Sequence, residues 1–217
     1  MMTLSRDVPI DPAHAALLFI DVQNYSAFPE RLAPDTLDAA AREARYGYFL
    51  RRLNGTVVPN LQKLQAASRS AGIEVLYTVI ENLTQDGRDR SLDYKISGID
   101  VPKGSWEAQV IDAVKPLPDE IVIPKTSSSV FISTNIDYVL RNLRVRSLII
   151  VGFLTDQCVD SAVRDACDLG YLVTLVTDAC ATHTQERHDA SLRNNRGYCR
   201  QIATAELVAE IERLSAR

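Results

Sequence analysis

The chain has 217 residues, a length that one α/β domain with a single hydrophobic core can account for. Hydrophobic residues make up 46% and charged residues 24%, which is an ordinary globular composition, and no apolar run reaches membrane-spanning length. The net charge of −4 provides no basic surface field, so nucleic acids and anionic membranes are not expected as partners.

Four cysteines and three histidines are present, and their spacing fits neither a disulfide framework nor a structural zinc site. We therefore expect a reduced, cytoplasmic protein that uses no metal and no other cofactor. Residues 1–12 are too polar for a signal peptide and contain two prolines. They predict a leader lying across the surface of one domain that spans residues 1–217.

The amino-terminal half begins with a continuous apolar run, Ala15–Ile20, typical of a strand buried on both faces. Asp21 follows it directly, and its carboxylate would point into the crevice at the carboxyl edge of a sheet. Capping a turn is the commoner role for an aspartate and is the alternative. Residues 37–71 predict one or two helices, possibly interrupted at Asn54-Gly55, and residues 73–80 predict a second strand.

The segment 81–104 is polar, lacks periodicity and is long for a connection. It predicts either a solvated surface loop or a loop that covers a substrate. Residues 106–114 predict a short helix, which Pro116 would stop.

The carboxy-terminal half continues the alternation of strands and helices. Its predicted strands are 120–123, 147–151, 171–176 and a short edge strand at 199–203, and its predicted helices are 135–143, 156–169, 185–194 and 206–214. This alternation predicts an α/β fold: a single-domain, three-layer α/β/α sandwich with a mostly parallel sheet of about six strands.

Three ionisable residues occupy the same kind of position in this scheme. Asp21 follows the first strand, Lys125 the third and Cys158 the fourth, so all three could converge at one edge of the sheet. Cys158 would also lie beside the first turn of a helix, where the helix dipole lowers the pKa of a thiol. Asp21 could then serve as base and Lys125 as the cation that stabilises a thiolate. His183 and His188 fall after the fifth strand, so a Cys-His pair is the weaker hypothesis.

A buried structural cysteine is the alternative for Cys158 taken alone. The coincidence with Asp21 and Lys125 favours an enzyme. A non-catalytic, flavodoxin-like binding module is the alternative of another class, and the absence of a glycine-rich phosphate loop argues against it.

These residues resemble the isochorismatase-like cysteine hydrolases, and the resemblance extends over about residues 15–203. It is carried by the strand ending in Asp21-Val22-Gln23-Asn24, by the Pro124-Lys125 step, and by Gly152-Phe153-Leu154-Thr155-Asp156-Gln157-Cys158-Val159. The last stretch is similar to the nucleophile turn of that family.

The resemblance implies an α/β hydrolase in which Asp21 is the base, Lys125 the supporting cation and Cys158 the nucleophile. It also implies a cis peptide bond between Phe153 and Leu154. The backbone N–H groups of Leu154 and Cys158 would then form the oxyanion hole.

The resemblance also narrows the chemistry. Nicotinamidases of the family carry an Asp-x-His metal motif after the second strand, whereas residues 77–82 contain no histidine. A cysteine nucleophile indicates amide cleavage, and residues 103–106 look similar to those of ureidoacrylate amidohydrolases. We expect an amidohydrolase for a linear ureido or carbamoyl compound, acting through a covalent thioester or thiocarbamate. An amidase for another small carboxamide, such as nicotinamide, is the alternative.

Five residues are candidate substrate contacts, with an ordinary loop or core role as the alternative for each. Asn24 and Phe28 follow the base, Tyr94 and Lys95 belong to the loop that could close the site, and Phe131 follows Lys125 at the family's pocket-lining distance. By the same resemblance we expect a homo-oligomer, either a dimer or a tetramer.

Overall fold

Six parallel strands form one sheet in the computed structural model, which describes residues 5–28 and 38–215. Their bounds are β1 Ala15–Ile20, β2 Glu74–Ile80, β3 Ile121–Lys125, β4 Ser147–Phe153, β5 Leu172–Ala181 and β6 Arg200–Ile202. They lie in the order β3-β2-β1-β4-β5-β6, and every pair of neighbours is parallel.

Helices cover both faces of this sheet. They are α1 Asn24–Ala27, α2 Ala39–Arg52, α3 Val58–Ser70, α4 Leu92–Ser97, α5 Val130–Ser133, α6 Ile136–Asn142, α7 Cys158–Asp168, α8 Gln185–Asn195 and α9 Thr204–Ser215. A π-helical stretch, Leu53–Val57, joins α2 to α3, so the predicted interruption at Asn54-Gly55 is a widened turn rather than a break. No helix within 5–28 and 38–215 is long and apolar enough to cross a membrane.

Alternate residues of β1 pack into two separate hydrophobic cores, one on each face of the sheet, which is why its sequence is apolar throughout. Leu17 and Phe19 pack on the side of α2, α3 and α9, and Leu18 and Ile20 pack on the side of α6 and α7. This arrangement confirms the predicted three-layer, single-domain fold.

The direction of winding reverses between β1 and β4. From β1 the chain proceeds outward to β2 and β3, and from β4 it proceeds outward the other way to β5 and β6. In open α/β sheets the crevice at such a reversal, beyond the carboxyl ends of the strands, is where ligands bind. Asp21 follows β1 at this crevice, and the turn after β4 leads into Cys158.

The predicted helix at residues 106–114 is wrong, because only Asp112–Val114 forms a single 3-10 turn. Carbonyl groups of this segment accept hydrogen bonds from the residues after β1 instead: Asn24 N–H donates to Gln109, and Tyr25 N–H donates to Glu107. These tertiary hydrogen bonds use carbonyl groups that would accept from N–H groups of the same segment in a helix.

The polar segment 81–104 contains α4, a helix that was not predicted from the sequence. Ser91 caps its first turn by accepting from Tyr94 N–H, and Gly98, at φ 71°, ends it. A serine and a glycine at these positions are the signals that identify so short a helix.

Residues 5–11, part of the predicted leader, contain no helix or strand and are tied to α9. Ile10 is buried, and its N–H donates to Glu210 Oε1 at 3.0 Å. Residues 1–4 of the leader lie outside the described residues, as does residue 37, where the helical run was predicted to begin.

Candidate active site

Asp21 is held at the carboxyl end of β1 in a left-handed conformation, with φ at 53°. Aspartate is one of the few residues with a side chain that tolerates this region. Its N–H donates to Thr78 O at 3.0 Å, and its Oδ1 accepts from Thr78 Oγ1 at 3.0 Å. The side chain is buried, so β2 fixes one carboxylate oxygen and leaves Oδ2 facing the crevice.

Lys125 is the last residue of β3 and is fully buried. Its side chain reaches past the end of β2, and Nζ lies 2.9 Å from Asp21 Oδ2. Nζ donates to Ser127 O at 2.8 Å, to Tyr94 Oη at 3.0 Å and to Cys158 Sγ at 3.4 Å. Burial alone would lower the pKa of Lys125, but the charge of Asp21, and that of Cys158 once it is a thiolate, raise it, so the ammonium stays protonated.

The three N–H bonds of this ammonium are directed at Ser127, Tyr94 and Cys158. Asp21 Oδ2 lies 2.9 Å from Nζ in a buried ion pair, and the Asp21 carboxyl also lies beside the Cys158 thiol. Burial raises the pKa of Asp21, and Lys125 opposes that rise. A carboxyl group with a raised pKa beside a thiol is suited to take the thiol proton.

Cys158 is the first residue of α7, and its thiol is buried against the other two side chains. Burial raises its pKa to about 11, the charge of Asp21 adds to the rise, and Lys125 opposes it. Burial and the charge of Asp21 therefore outweigh the lowering that was expected from the helix N-terminus. The resting group at neutral pH is a thiol, and Asp21 is the neighbour placed to deprotonate it.

The turn between β4 and α7 depends on Gly152, whose φ is 119°. A Cβ atom on Gly152 would lie 2.1 Å from the carbonyl oxygen of Ile20, so glycine lets β4 approach β1 at this point. The peptide bond between Phe153 and Leu154 is cis, as the resemblance implied. The N–H groups of Leu154 and Cys158 donate to no backbone acceptor in the described residues, whereas Thr155 N–H donates to Ala181 O at 2.9 Å.

His188, on α8, contacts this turn through Thr155, a role that was not predicted from the sequence. Its Nε2 lies 2.9 Å from Arg52 Nη2, which can only donate, so Nε2 accepts. Its Nδ1 must then carry the proton and donate to Thr155 Oγ1 at 2.9 Å. Burial and the charge of Arg52 lower the pKa of His188 to about 4, so the imidazole is neutral at pH 7.

A cavity of about 470 Å³ opens onto the triad. Its floor includes Leu154, Gln157 and Cys158, and Tyr94 stands beside them with Oη 3.8 Å from Cys158 Sγ. Because Tyr94 Oη accepts from Lys125, its own proton is free to stabilise a thiolate. Within the described ranges no group of three or more His, Cys, Asp or Glu side chains is placed to hold a metal ion.

Of the five predicted substrate contacts, Tyr94 lines the cavity formed by the described residues. Asn24, Phe28, Lys95 and Phe131 are not in its lining, and their role in substrate binding stays a prediction. Asn24 Nδ2 donates to Trp106 O at 2.8 Å, and the ring of Phe28 lies 5.7 Å from that of Trp106. Lys95 is exposed on α4. Phe131 packs against Tyr171 on the α6–α7 side of the sheet, with ring centroids 6.2 Å apart.

Helix α2 supplies cavity residues that were not predicted, among them Arg45, Tyr46 and Phe49. Arg45 and Phe49 are four residues apart and so share a face of the helix, but no pattern in the sequence indicates which face meets the crevice. His183, after β5, also lines the cavity, and burial lowers its pKa.

Comparison with known proteins gives a family match over most of the chain. The profile described as the isochorismatase domain matches residues 15–206. The ureidoacrylate amidohydrolase RutB of Agrobacterium fabrum is 31% identical over 209 residues, covering 82% of this chain and 82% of that protein. RutB of Rhizobium rhizogenes is 29% identical over 192 residues, covering 79% and 72%.

Solved structures share the fold. A cysteine hydrolase from Pseudomonas syringae pv. phaseolicola superimposes with a TM-score of 0.78 at 23% identity, over 99% of this chain and all of that one. N-carbamoylsarcosine amidase from Thermoplasma acidophilum gives 0.65 at 24% identity, over 88% and 96%. At such identities the likeness concerns the fold.

Proposed function

The chain belongs to the isochorismatase family, and we propose that within it the chain is a cysteine-dependent amidohydrolase for small linear ureido or carbamoyl compounds. It is a hydrolase of the class that cleaves carbon–nitrogen bonds other than peptide bonds, as the names of its ureidoacrylate amidohydrolase relatives indicate. The observation that carries the proposal is the buried cluster in which Lys125 Nζ lies 2.9 Å from Asp21 Oδ2 and 3.4 Å from Cys158 Sγ.

The first half of the proposed reaction forms a covalent intermediate. Asp21 takes the thiol proton as Cys158 Sγ attacks the carbonyl carbon of the substrate. The N–H groups of Leu154 and Cys158 hold the resulting oxyanion, and protonated Asp21 gives its proton to the departing nitrogen. Ammonia or an amine leaves, and a thioester or thiocarbamate remains on Cys158.

The second half regenerates the enzyme. Asp21 takes a proton from water, whose oxygen attacks the carbonyl carbon of the intermediate, and the thiolate leaves and recovers that proton. Lys125 keeps its charge throughout and, with the hydroxyl of Tyr94, stabilises the thiolate each time it forms. The raised pKa of Asp21 suits a group that must alternately accept and return a proton.

A panel of amides tests the substrate class. Purified protein is incubated with ureidoacrylate, biuret, triuret, N-carbamoyl amino acids and nicotinamide, and ammonia release is measured. We expect turnover of at least one ureido or carbamoyl compound and none of nicotinamide. If nicotinamide is the only compound hydrolysed, the substrate class is ordinary carboxamides and not ureides.

Cys158→Ser tests the covalent mechanism. A serine hydroxyl in this buried site is far harder to deprotonate than a thiol, so the variant should fold and lose nearly all turnover. Wild-type protein quenched during turnover should carry one substrate acyl fragment on Cys158 by mass spectrometry. If Cys158→Ser keeps more than a tenth of wild-type activity, the thiol is not the nucleophile.

We also propose that the protein works as a homo-oligomer in the cytoplasm. Its four cysteines are all free, which agrees with a reducing compartment. Large apolar side chains, Leu92 and Ile96 on α4 among them, stand exposed on the single chain.

A further inference from the structure

Two walls of different composition enclose the cavity above Cys158. One is built on α4 and includes Asp93 and Tyr94, next to the nucleophile. The other is built on α2, where Phe49 packs edge-on against Phe153 at 5.6 Å and lies 6.0 Å from His183. The two walls belong to separate apolar clusters: Phe49 lies in the cluster that includes Phe153, and Tyr94 lies in a smaller cluster with Ile80 and Val101.

Arg45 stands on the α2 wall one helical turn before Phe49. Four residues of α-helix advance about 6 Å along the axis, so the Cα atoms of Arg45 and Phe49 are separated by about that distance along α2. The guanidinium lies over the ring of Tyr46, with Cζ 5.4 Å from the centroid. Burial lowers the pKa of His183, and the charges of Arg187 and, to a smaller extent, Arg45 add to this lowering. Arg45 therefore supplies a positive charge at this part of the cavity lining, beside Tyr46 and His183.

Arg45 differs from the other arginines of α2 whose partners are known. Arg51 is paired with Glu43, and Arg52 donates to Thr177 O, Cys180 O and His188. Arg45 is exposed to solvent at the edge of the cavity and, among the described residues, makes no ion pair or hydrogen bond beyond its contact with the Tyr46 ring. A guanidinium left open in this way presents a planar pair of donors suited to a carboxylate.

We propose that Arg45 binds the carboxylate of the substrate, so that the enzyme selects ureido or N-carbamoyl acids over neutral ureides. This inference rests on the proposed function. The carbamoyl carbon lies at Cys158 Sγ, and a short carbon chain separates it from an acid group at Arg45. Asp93, on the opposite wall, disfavours the reversed orientation because it would repel a carboxylate placed beside Tyr94.

The test compares N-carbamoyl-β-alanine with its methyl ester, which keeps the carbamoyl group and removes the charge. Wild-type protein should prefer the acid, and Arg45→Gln should lower kcat/KM for the acid roughly 10–100-fold, as loss of a bidentate charged contact implies. The loss should lie mainly in KM, the ester should change less than about threefold, and Arg45→Lys should recover part of the acid's rate. Arg51→Gln, on the same helix but outside the cavity lining, is the matched control and should behave as wild type.

Equal rates for acid and ester in the wild type, or equal losses for both in Arg45→Gln, would overturn the role of Arg45 and leave the amidohydrolase proposal standing. Binding to Cys158→Ala protein, measured by calorimetry, separates the two proposals further because it needs no turnover. If Cys158→Ala binds the acid and Cys158→Ala/Arg45→Gln does not, the carboxylate site is supported even if neither compound is hydrolysed. Equal binding of acid and ester, or binding of neither, rejects it.

Discussion

Asp21 and Lys125 act in opposite directions on the Cys158 thiol. The charge of Asp21 raises the pKa of the thiol, and the charge of Lys125 lowers it; burial sets the balance at about 11. Cys158 therefore rests as a thiol, beside the Lys125 ammonium and the Asp21 carboxyl group. A thiolate forms only when Asp21 accepts the proton, which couples nucleophile formation to attack on the substrate.

Asp21→Asn should separate these effects. Loss of the base should lower turnover roughly 10²–10⁴-fold. Loss of the carboxylate charge should at the same time lower the pKa of Cys158, because Lys125 then acts on the thiol unopposed. Alkylation of Cys158 by iodoacetamide, followed by mass spectrometry from pH 7 to 11, should shift to lower pH in this variant and to higher pH in Lys125→Met.

Cys158→Ala protein gives the background labelling of the other three cysteines. Wild-type Cys158 should label faster with each step in pH up to about 11. A plateau by pH 8 in the wild type would mean that the thiolate is already formed at rest, contrary to the structure.

The turn between β4 and α7 is held from two sides, by Gly152 against β1 and by His188 against Thr155. Gly152→Ala places a Cβ atom 2.1 Å from Ile20 O at φ 119° and should destabilise the fold by more than about 3 kcal/mol. Gly170 is the matched control: its φ is 93°, but nothing lies within 4 Å of its Cβ position. Gly170→Ala should cost only about 1–2 kcal/mol for the backbone. Urea denaturation measures both, and equal losses would contradict a steric role for Gly152.

His188→Ala removes the donor to Thr155 Oγ1 and leaves Arg52 without one of its acceptors. We expect kcat to fall about tenfold with little change in KM, because the turn that presents the Leu154 and Cys158 N–H groups loosens while the cavity walls stay in place. Gln185→Ala, an exposed change on the same helix, should leave kcat unchanged. A rise in KM at constant kcat would instead assign His188 to substrate binding.

The sequence predicts these elements unequally. The strands, the long helices and the convergence of Asp21, Lys125 and Cys158 follow from apolar periodicity and from the rule that parallel strands end at one edge. The irregular conformation of residues 106–114 cannot be predicted in this way, because it depends on pairing with Asn24 and Tyr25. The raised pKa of Cys158 cannot be predicted either, because it depends on burial beside α4. Arg45 escaped prediction for the same reason, since its helix meets the crevice only in the folded chain.

The complete site draws on segments far apart in the chain, from Asp21 after β1 to His188 on α8, so it exists only when the whole sheet is assembled. Helix α4 connects it to the outer surface. Its inner side carries Tyr94 against Cys158, and on its outer side Leu92 and Ile96, four residues apart, are 73% and 76% exposed. Two large apolar side chains on one helical face are typical of a surface that another subunit covers.

We therefore predict that α4 lies in the interface of the proposed homo-oligomer. Light scattering at micromolar concentration should give a dimer or tetramer for the wild type and a smaller mass for Leu92→Glu/Ile96→Glu, because two buried charges without partners disfavour association. Leu117→Glu is the control. Leu117 is also exposed, but it precedes β3 and so lies at the amino ends of the strands, whereas α4 lies at their carboxyl ends. A monomeric wild type would reject the oligomer, and an unchanged mass in the double variant would move the interface away from α4. If α4 is the interface, the double variant should also lower turnover, since the helix that places Tyr94 beside Cys158 loses its outer support.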